Sequence, residues 1–160
     1  MALDIKIKSN PEAIKKRFNR IQKKFPSIIE KGILQGGFQL LDIIRTKTAK
    51  GIDFRNVPFA QYSESYLKQL QREGKPTKVD LFYSGRMLGA LTPSPRTVRK
   101  TGKNKISLGF SNAQMRQRAL FNQVLNEPKR EFFGFNDRTE KIISKQFNRF
   151  IAKEFRKQRL

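Results

Sequence analysis

Two apolar stripes at opposite ends of the chain constrain the fold more than any other feature of the sequence. The residues of the first stripe lie four, three and four positions apart: Ile14, Phe18, Ile21 and Phe25. Those of the second stripe recur at every fourth position: Ile143, Phe147, Ile151 and Phe155. Both spacings place the side chains on one face of an α-helix. We therefore predict an amphipathic helix at each end, with its apolar face packed inward.

Proline and glycine divide the first of these helices. Asn10 can cap its start, and Pro11 suits the first helical position. Pro26 is predicted to stop or kink the helix because proline has no backbone N–H to donate, and the helix then resumes to about Thr46. The pair Gly36–Gly37 costs about 1 kcal/mol per glycine relative to alanine. We therefore expect a kink or a close helix approach at this pair.

The rest of the chain contains signals for short elements. Strands are predicted at 3–7, 79–83, 97–100 and 105–110, with a hairpin turn at 101–104. Helices are predicted from Ser63 to about Arg72, from Asn112 to about Leu125, and from about Asp137 onward. Residues 131–135 are predicted to form a short strand or an extended turn.

These elements predict an α+β fold, in which a small antiparallel sheet is flanked by N-terminal and C-terminal helices. The length of 160 residues suits a single domain spanning 1–160. Within it we expect a helical part at about 10–48, an irregular segment at 50–78, and the sheet with the C-terminal helices at 79–160.

The charge of the chain is strongly unbalanced. It has 35 Lys and Arg against 13 Asp and Glu, a net charge of +22. Such a field attracts polyanions: nucleic acid, an anionic membrane surface or an acidic protein. One dense tract lies on the first helix: Lys15, Lys16, Arg17, Arg20, Lys23 and Lys24.

Two further basic clusters are predicted to contact DNA or an acidic partner. The first surrounds the predicted hairpin: Arg96, Arg99, Lys100, Lys103 and Lys105. The second lies at the end of the last helix: Lys153, Arg156, Lys157 and Arg159. A solvated basic surface without a specific partner is the alternative for both clusters.

The residue types that the chain lacks exclude several chemistries. It contains no Cys and no His, which excludes disulfides, thiolate chemistry, metal sites built on these residues, and a triad that uses His. The carboxylates show no spacing that argues for a paired acid and base. We therefore expect no enzymatic activity and no cofactor. No run approaches the roughly 18 apolar residues of a membrane span, and no signal peptide is recognisable, so we expect no membrane partner.

Three motifs, in this order and spacing, resemble the virion morphogenesis family of tailed phages. The first is 58–68, with Tyr62 and Ser63 at its centre. The second is 79–91, which contains the run Ser84, Gly85, Arg86 and Met87. The third is 130–135, with Arg130, Phe132, Phe133 and Gly134. The chain departs from the family pattern twice: Ser84 stands where Thr is usual, and Glu131 where Pro is usual.

The resemblance covers about residues 10–155 and implies a structural protein of the phage neck. Members of the family complete tails or join them to the head, which implies a ring of six or twelve copies around the DNA channel. The implied partners are the chain itself, a portal or adaptor protein, a tail tube or terminator protein, and the genomic DNA. The implied location is the neck or tail of the virion, and the host cytoplasm during assembly.

Within the motifs, structural roles are expected. Gly85 should permit a backbone turn through 84–87, and Phe132, Phe133 and Phe135 should pin the final helix to the sheet. Two other functions stay open on the sequence alone. One is a nucleic-acid-binding protein without sequence specificity, and the other is a basic component of a different large assembly.

Overall fold

The computed structural model describes residues 11–82 and 84–157. Its helices are α1 (Pro11–Ala49), α2 (Glu64–Arg72), α3 (Arg86–Gly89), α4 (Ala113–Leu120), a π-helical segment (Phe121–Leu125) and α5 (Asp137–Lys157). Its strands are β1 (Val98–Gly102) and β2 (Lys105–Leu108). The predicted α+β fold, with a small antiparallel sheet and helices at both ends, is confirmed. The predicted strand at 3–7, the cap Asn10 and the basic residue Arg159 lie outside the described residues.

Helix α1 runs through Pro26 without interruption, so a stop at this residue, one of the two predicted outcomes, is wrong. Proline removes one helical hydrogen bond, but packing on both sides of Pro26 supports the helix. Ile28 is buried, and the ring of Phe25 stacks on that of Phe155 with centroids 5.9 Å apart. Tertiary contacts therefore override the local signal.

Glycines let α1 approach its neighbours closely on two sides. A Cβ placed on Gly32 would lie 2.6 Å from Cε2 of Phe147, and one on Gly36 would lie 3.3 Å from Cγ2 of Ile143. Both neighbours belong to α5. A Cβ on Gly37 would lie 2.5 Å from Cδ1 of Ile106 in β2. The close helix approach expected at Gly36–Gly37 is confirmed, and α1 is packed between α5 and the hairpin.

The two strands form the predicted antiparallel hairpin. Val98 pairs with Leu108 and Lys100 with Ile106, and the register shifts between Lys100 and Gly102. The pairing places Val98, Ile106 and Leu108 on the face that meets Gly37 of α1. At the edge of that face, Nζ of Lys100 lies 2.7 Å from Oε1 of Glu30. This ion pair adds a polar contact between the hairpin and α1.

The core lies where the carboxyl-terminal half of α1 meets the middle of the chain. Its buried apolar residues come from α1, α3, β1, α4 and the intervening loops: Leu41, Ile44, Phe59, Val79, Met87, Leu88, Ala90, Leu91, Val98, Met115, Ala119 and Phe132. Burial of this set supplies the main stabilising term. The amino-terminal half of α1 contributes nothing to it.

The segment at 79–83 is not a strand over its described part, 79–82. Leu81 has a φ of 54°, in the left-handed region that breaks an extended strand. The backbone N–H of Phe82 donates to Oδ1 of Asp80 at 2.9 Å. This local turn replaces the ladder hydrogen bonds of a strand. Residues 131–135 form neither a helix nor a strand, and the chain bends at Phe133.

The predicted caps of two helices are confirmed. Ser63 precedes α2, and its hydroxyl accepts from the N–H of Tyr66 at 3.4 Å. Asn112 precedes α4, and its Oδ1 accepts from the N–H groups of Gln114 and Met115. Each cap satisfies donors that the first helical turn leaves unpaired.

Candidate functional site

The three motifs meet around one cavity, although nearly seventy residues separate the first from the last. The cavity has a volume of about 460 Å³. Its lining includes six of the motif residues: Tyr62, Ser63, Ser84, Gly85, Met87 and Arg130. The rest of the lining comes from the end of α4, the π-helical segment and the loop beyond it: Arg118, Phe121, Asn122, Asn126, Glu127 and Pro128. Arg86 of the second motif is exposed and does not line it.

Arg130 joins the walls of this cavity. Its side chain is only 7% exposed. Its guanidinium donates from Nε to the carbonyl of Ala60 at 3.3 Å and from Nη2 to that of Gln61 at 3.1 Å. It also lies 4.9 Å from the ring centroid of Tyr62, in cation–π contact, and its backbone N–H donates to the carbonyl of Asn122. One buried cation thus fastens the first motif to the third.

The second motif turns the chain sharply at the rim of the cavity. Gly85 has a φ of 69°, and a Cβ there would lie 2.9 Å from Cζ of Phe82. Only glycine combines this backbone conformation with that close approach. The predicted turn is confirmed, and it directs Met87 and Leu88 of α3 into the core.

The aromatic residues of the third motif do not have the predicted role. Phe132 is 1% exposed and packs with Phe133 and Phe110, beside the end of β2. Phe135 is 57% exposed. The final helix α5 packs against α1 rather than the sheet, so the expectation that these three residues pin α5 to the sheet is wrong. Gly134 instead lets the ring of Phe54 approach its backbone.

Two polar groups of the cavity wall hold the backbone in place. The hydroxyl of Ser63 caps α2, and the guanidinium of Arg130 is bonded to two carbonyls. Among residues 11–82 and 84–157, no cluster of carboxylates could hold a metal ion. The arrangement is that of a structural joint between distant segments.

Burial in this cavity raises the pKa of Tyr62. Desolvation is the largest cause, and nearby Tyr66 and Asp80 act in the same direction. The Arg130 charge and a backbone N–H of Leu81 oppose the increase.

We predict that Tyr62 contributes stability that is lost in alkali. Because its folded pKa lies above the unfolded value of about 10, the unfolded chain loses the proton first, and stability falls as pH rises through the folded pKa. Ultraviolet titration of tyrosinate should show this, since the native curve minus that of Tyr62→Phe isolates Tyr62. A midpoint at or below about 10 would contradict the prediction.

The predicted hairpin cluster is exposed. Arg96, Arg99, Lys100, Lys103 and Lys105 all reach solvent. Two of these residues also have internal partners: Lys100 pairs with Glu30, and Nε of Arg99 donates to the carbonyl of Arg96 at 2.8 Å. Arg96, Lys103 and Lys105 are therefore the better candidates for contact with a polyanion.

The described part of the second cluster is exposed as well. Lys153, Arg156 and Lys157 lie in the last turns of α5, and Lys157 pairs with Glu154. The two clusters meet α1 on different sides. Lys100 contacts Glu30 and Phe155 contacts Phe25, positions about 140° apart around the helix.

The prediction that the apolar stripe of the first helix packs inward is wrong over its amino-terminal end, although Phe25 stacks on Phe155 of α5. Ile14, Phe18 and Phe25 are exposed, Phe18 to 68%. All six basic residues of the tract on the same half of α1 are exposed too. This half of α1 thus exposes to solvent an apolar stripe flanked by basic side chains.

A second apolar surface was missed by the sequence reasoning. It lies at the end of α4 and along the π-helical segment, with four exposed side chains: Leu120, Phe121, Val124 and Leu125. Their spacing already marks a stripe on the predicted helix. Their spacing does not reveal that this stripe is left uncovered, because that depends on which elements pack against it.

Comparisons of the chain with protein-family models, with curated proteins and with solved structures found no match. Within the described parts of the chain, no helix has the length and apolarity needed to cross a bilayer.

Proposed function

We propose that the chain is a non-enzymatic structural protein of a tailed-phage neck. In this proposal identical copies form a ring around the DNA channel and connect the portal or adaptor to the tail. The resemblance of the three motifs supports the proposal. The convergence of these motifs on one cavity adds support, since residues that meet in space are expected to act together.

One observation carries the proposal: large apolar side chains are exposed on two separate helical surfaces. One is the amino-terminal half of α1, and the other is the end of α4 with the π-helical segment. Contiguous apolar patches on a folded chain mark contact sites for other proteins. Two such surfaces on one subunit are what a closed ring, or a junction between different components, requires.

The charge supports the same proposal. A net charge of +22 on 160 residues disfavours the compact chain through self-repulsion. Contact with acidic neighbours or with DNA relieves this repulsion. A subunit that lines a DNA channel and adjoins other proteins has both kinds of contact.

Deletion of the gene from a phage or prophage that carries it tests the proposal. Because the ring joins separately built parts, we expect full heads and complete tails to accumulate unjoined in lysates viewed by electron microscopy. Supply of the chain from a plasmid should restore infectious particles. Normal yields of joined particles without the chain would refute the proposal.

A second candidate function is binding of nucleic acid without sequence specificity. The exposed hairpin cluster favours it, because cations on a protein surface can neutralise DNA phosphates and release counterions. A nucleic-acid-binding protein is expected to bind DNA tightly as a monomer. A neck protein is expected to bind DNA only weakly before its copies assemble.

If the hairpin contacts DNA, the double variant Arg96→Ala/Lys103→Ala should bind duplex DNA with a weaker salt dependence. Each lost phosphate contact flattens the slope of log K against log salt by about 0.9, so about 1.8 is expected for two. The matched control is Lys68→Ala/Arg72→Ala on α2, which removes the same residue types from another exposed surface. Equal effects of both variants would show that only net charge matters.

A further inference from the structure

The apolar stripe of α1 and the positions at which α1 contacts α5 form one continuous row along the helix, here called the seam. Its positions follow alternating steps of four and three residues: Ile14, Phe18, Ile21, Phe25, Ile28 and Gly32. This is the a/d repeat of a coiled coil, which is narrower than the apolar face of a membrane-surface helix. Contacts of Gly36 with Ile143, Gly32 with Phe147 and Phe25 with Phe155 show that α5 runs antiparallel along it.

The described part of α5 ends before the seam does. Phe155 stacks on Phe25, and α5 ends at Lys157, two residues later. Helix α1 extends from there back to Pro11. Residues 11–24 therefore project about 21 Å beyond the stacked pair, at 1.5 Å per residue, with Ile14 and Phe18 exposed.

The residues that flank the seam determine which charge a helix packed on it must carry. With Ile14 and Ile21 at d positions and Phe18 and Phe25 at a positions, the flanking e and g positions are Lys15, Arg17, Gln22 and Lys24. Three of the four are basic. In helix pairs these positions select partners by charge.

We propose that the amino-terminal half of α1 docks an acidic amphipathic helix of another protein. This helix would extend the antiparallel pairing beyond α5, with apolar side chains on the seam and carboxylates against Lys15, Arg17 and Lys24. A second copy of the same stretch is the wrong partner because its flanking positions carry the same positive charge. The proposal holds whether or not the chain belongs to a phage neck.

The probe for a test is a synthetic peptide of about three heptads, with leucine at a and d and glutamate at e and g. Fluorescence anisotropy measures its binding to the full chain. We expect micromolar affinity, at least about tenfold tighter than that of the same peptide with lysine at e and g. No binding, or equal binding of both peptides, overturns the proposal.

Three variants locate the site. Ile14→Ser/Phe18→Ser removes the seam, and Lys15→Glu/Arg17→Glu reverses its flanks; each should weaken binding about tenfold. Lys16→Glu/Lys23→Glu makes a comparable change of charge at f positions, opposite the seam, and should stay within about twofold. All of these residues are exposed, so circular dichroism should show unchanged helix content. Equal loss in the f-position control overturns the proposal in favour of a bulk charge effect.

Other occupants of the surface give different results. If vesicles of phosphatidylserine and phosphatidylcholine bind the chain through Ile14 and Phe18 while the acidic peptide does not, the surface is a membrane contact and the proposal is wrong. If sedimentation shows a dimer of the chain alone that Ile14→Ser/Phe18→Ser abolishes, the occupant is a second copy, which also overturns it.

Discussion

Substitution of Gly32 by valine should separate α5 from α1 and lower the free energy of unfolding by about 2–3 kcal/mol. The Cβ alone would lie 2.6 Å from Cε2 and 2.9 Å from Cδ2 of Phe147, and 3.2 Å from Cδ1 of Phe150. Both rings would have to move, and valine adds two methyl groups beyond the Cβ. Because α5 has extensive contacts only with α1 among the described elements, little else holds it in place.

The matched control is the same substitution at Gly89. This glycine also lies in a helix, but no atom is within 4 Å of the Cβ position. We expect Gly89→Val to change the free energy of unfolding by no more than about 0.5 kcal/mol. Urea denaturation followed by circular dichroism measures both. Similar small effects for the two variants would mean that the Gly32 contact with α5 is wrong.

Replacement of Arg130 by alanine should cost about 3 kcal/mol of stability. The guanidinium makes two charge-assisted hydrogen bonds to the carbonyls of Ala60 and Gln61, each worth about 1.5 kcal/mol or more. Its loss also removes the cation–π contact with Tyr62 and leaves a void beside a half-buried ring. The segment before α2, which buries Phe59, would then lose its attachment to the third motif.

Two further variants separate the role of Arg130 from that of positive charge. Arg118→Ala removes an exposed arginine that lines the same cavity, and it should change stability by no more than about 0.5 kcal/mol. Arg130→Lys keeps the charge but lacks the planar fork, so it should restore only part of the loss. A full rescue by lysine would show that the charge alone matters and would contradict the geometry described for Arg130.

Local signals in the sequence were sufficient to predict most of the helices and strands. Ser63 and Asn112 predicted the starts of α2 and α4, and the alternation around 97–110 predicted the hairpin. These features depend on residues close in sequence, such as caps and turn formers. Gly36–Gly37 predicted a close approach because two glycines in a helix need a compensating contact.

Features that depend on distant packing were not predictable in this way. Pro26 does not stop the helix, because the burial of Ile28 and the contact of Phe25 with Phe155 support α1 on both sides of it. The strand expected at 79–83 failed because Asp80 and Leu81 form a turn, which periodicity alone does not exclude. The convergence of Tyr62, Ser84 and Arg130 was not predicted, since nothing in their spacing reveals that they meet.

The prediction that the apolar stripe at the start of α1 is buried is the most informative of the wrong predictions. Its period correctly predicted a helix, yet the expected burial is missing over Ile14 and Phe18. Periodicity reports which face of a helix is apolar, but whether that face meets the same chain or another molecule depends on the length of the neighbouring helix. Here the described part of α5 ends close to Phe25, and Ile14 and Phe18 are exposed, which is why the stripe belongs to the candidate interaction surfaces.

The central claim is that this chain functions as an assembled structural subunit. The most direct test is the mass of the purified protein in solution, measured by sedimentation with and without duplex DNA at low and high salt. We predict a discrete multiple of 18.7 kDa, with six or twelve copies, and only weak DNA binding by the unassembled chain. A monomer at every concentration that binds DNA tightly, with a steep salt dependence, would contradict the claim and assign the protein to nucleic-acid binding instead.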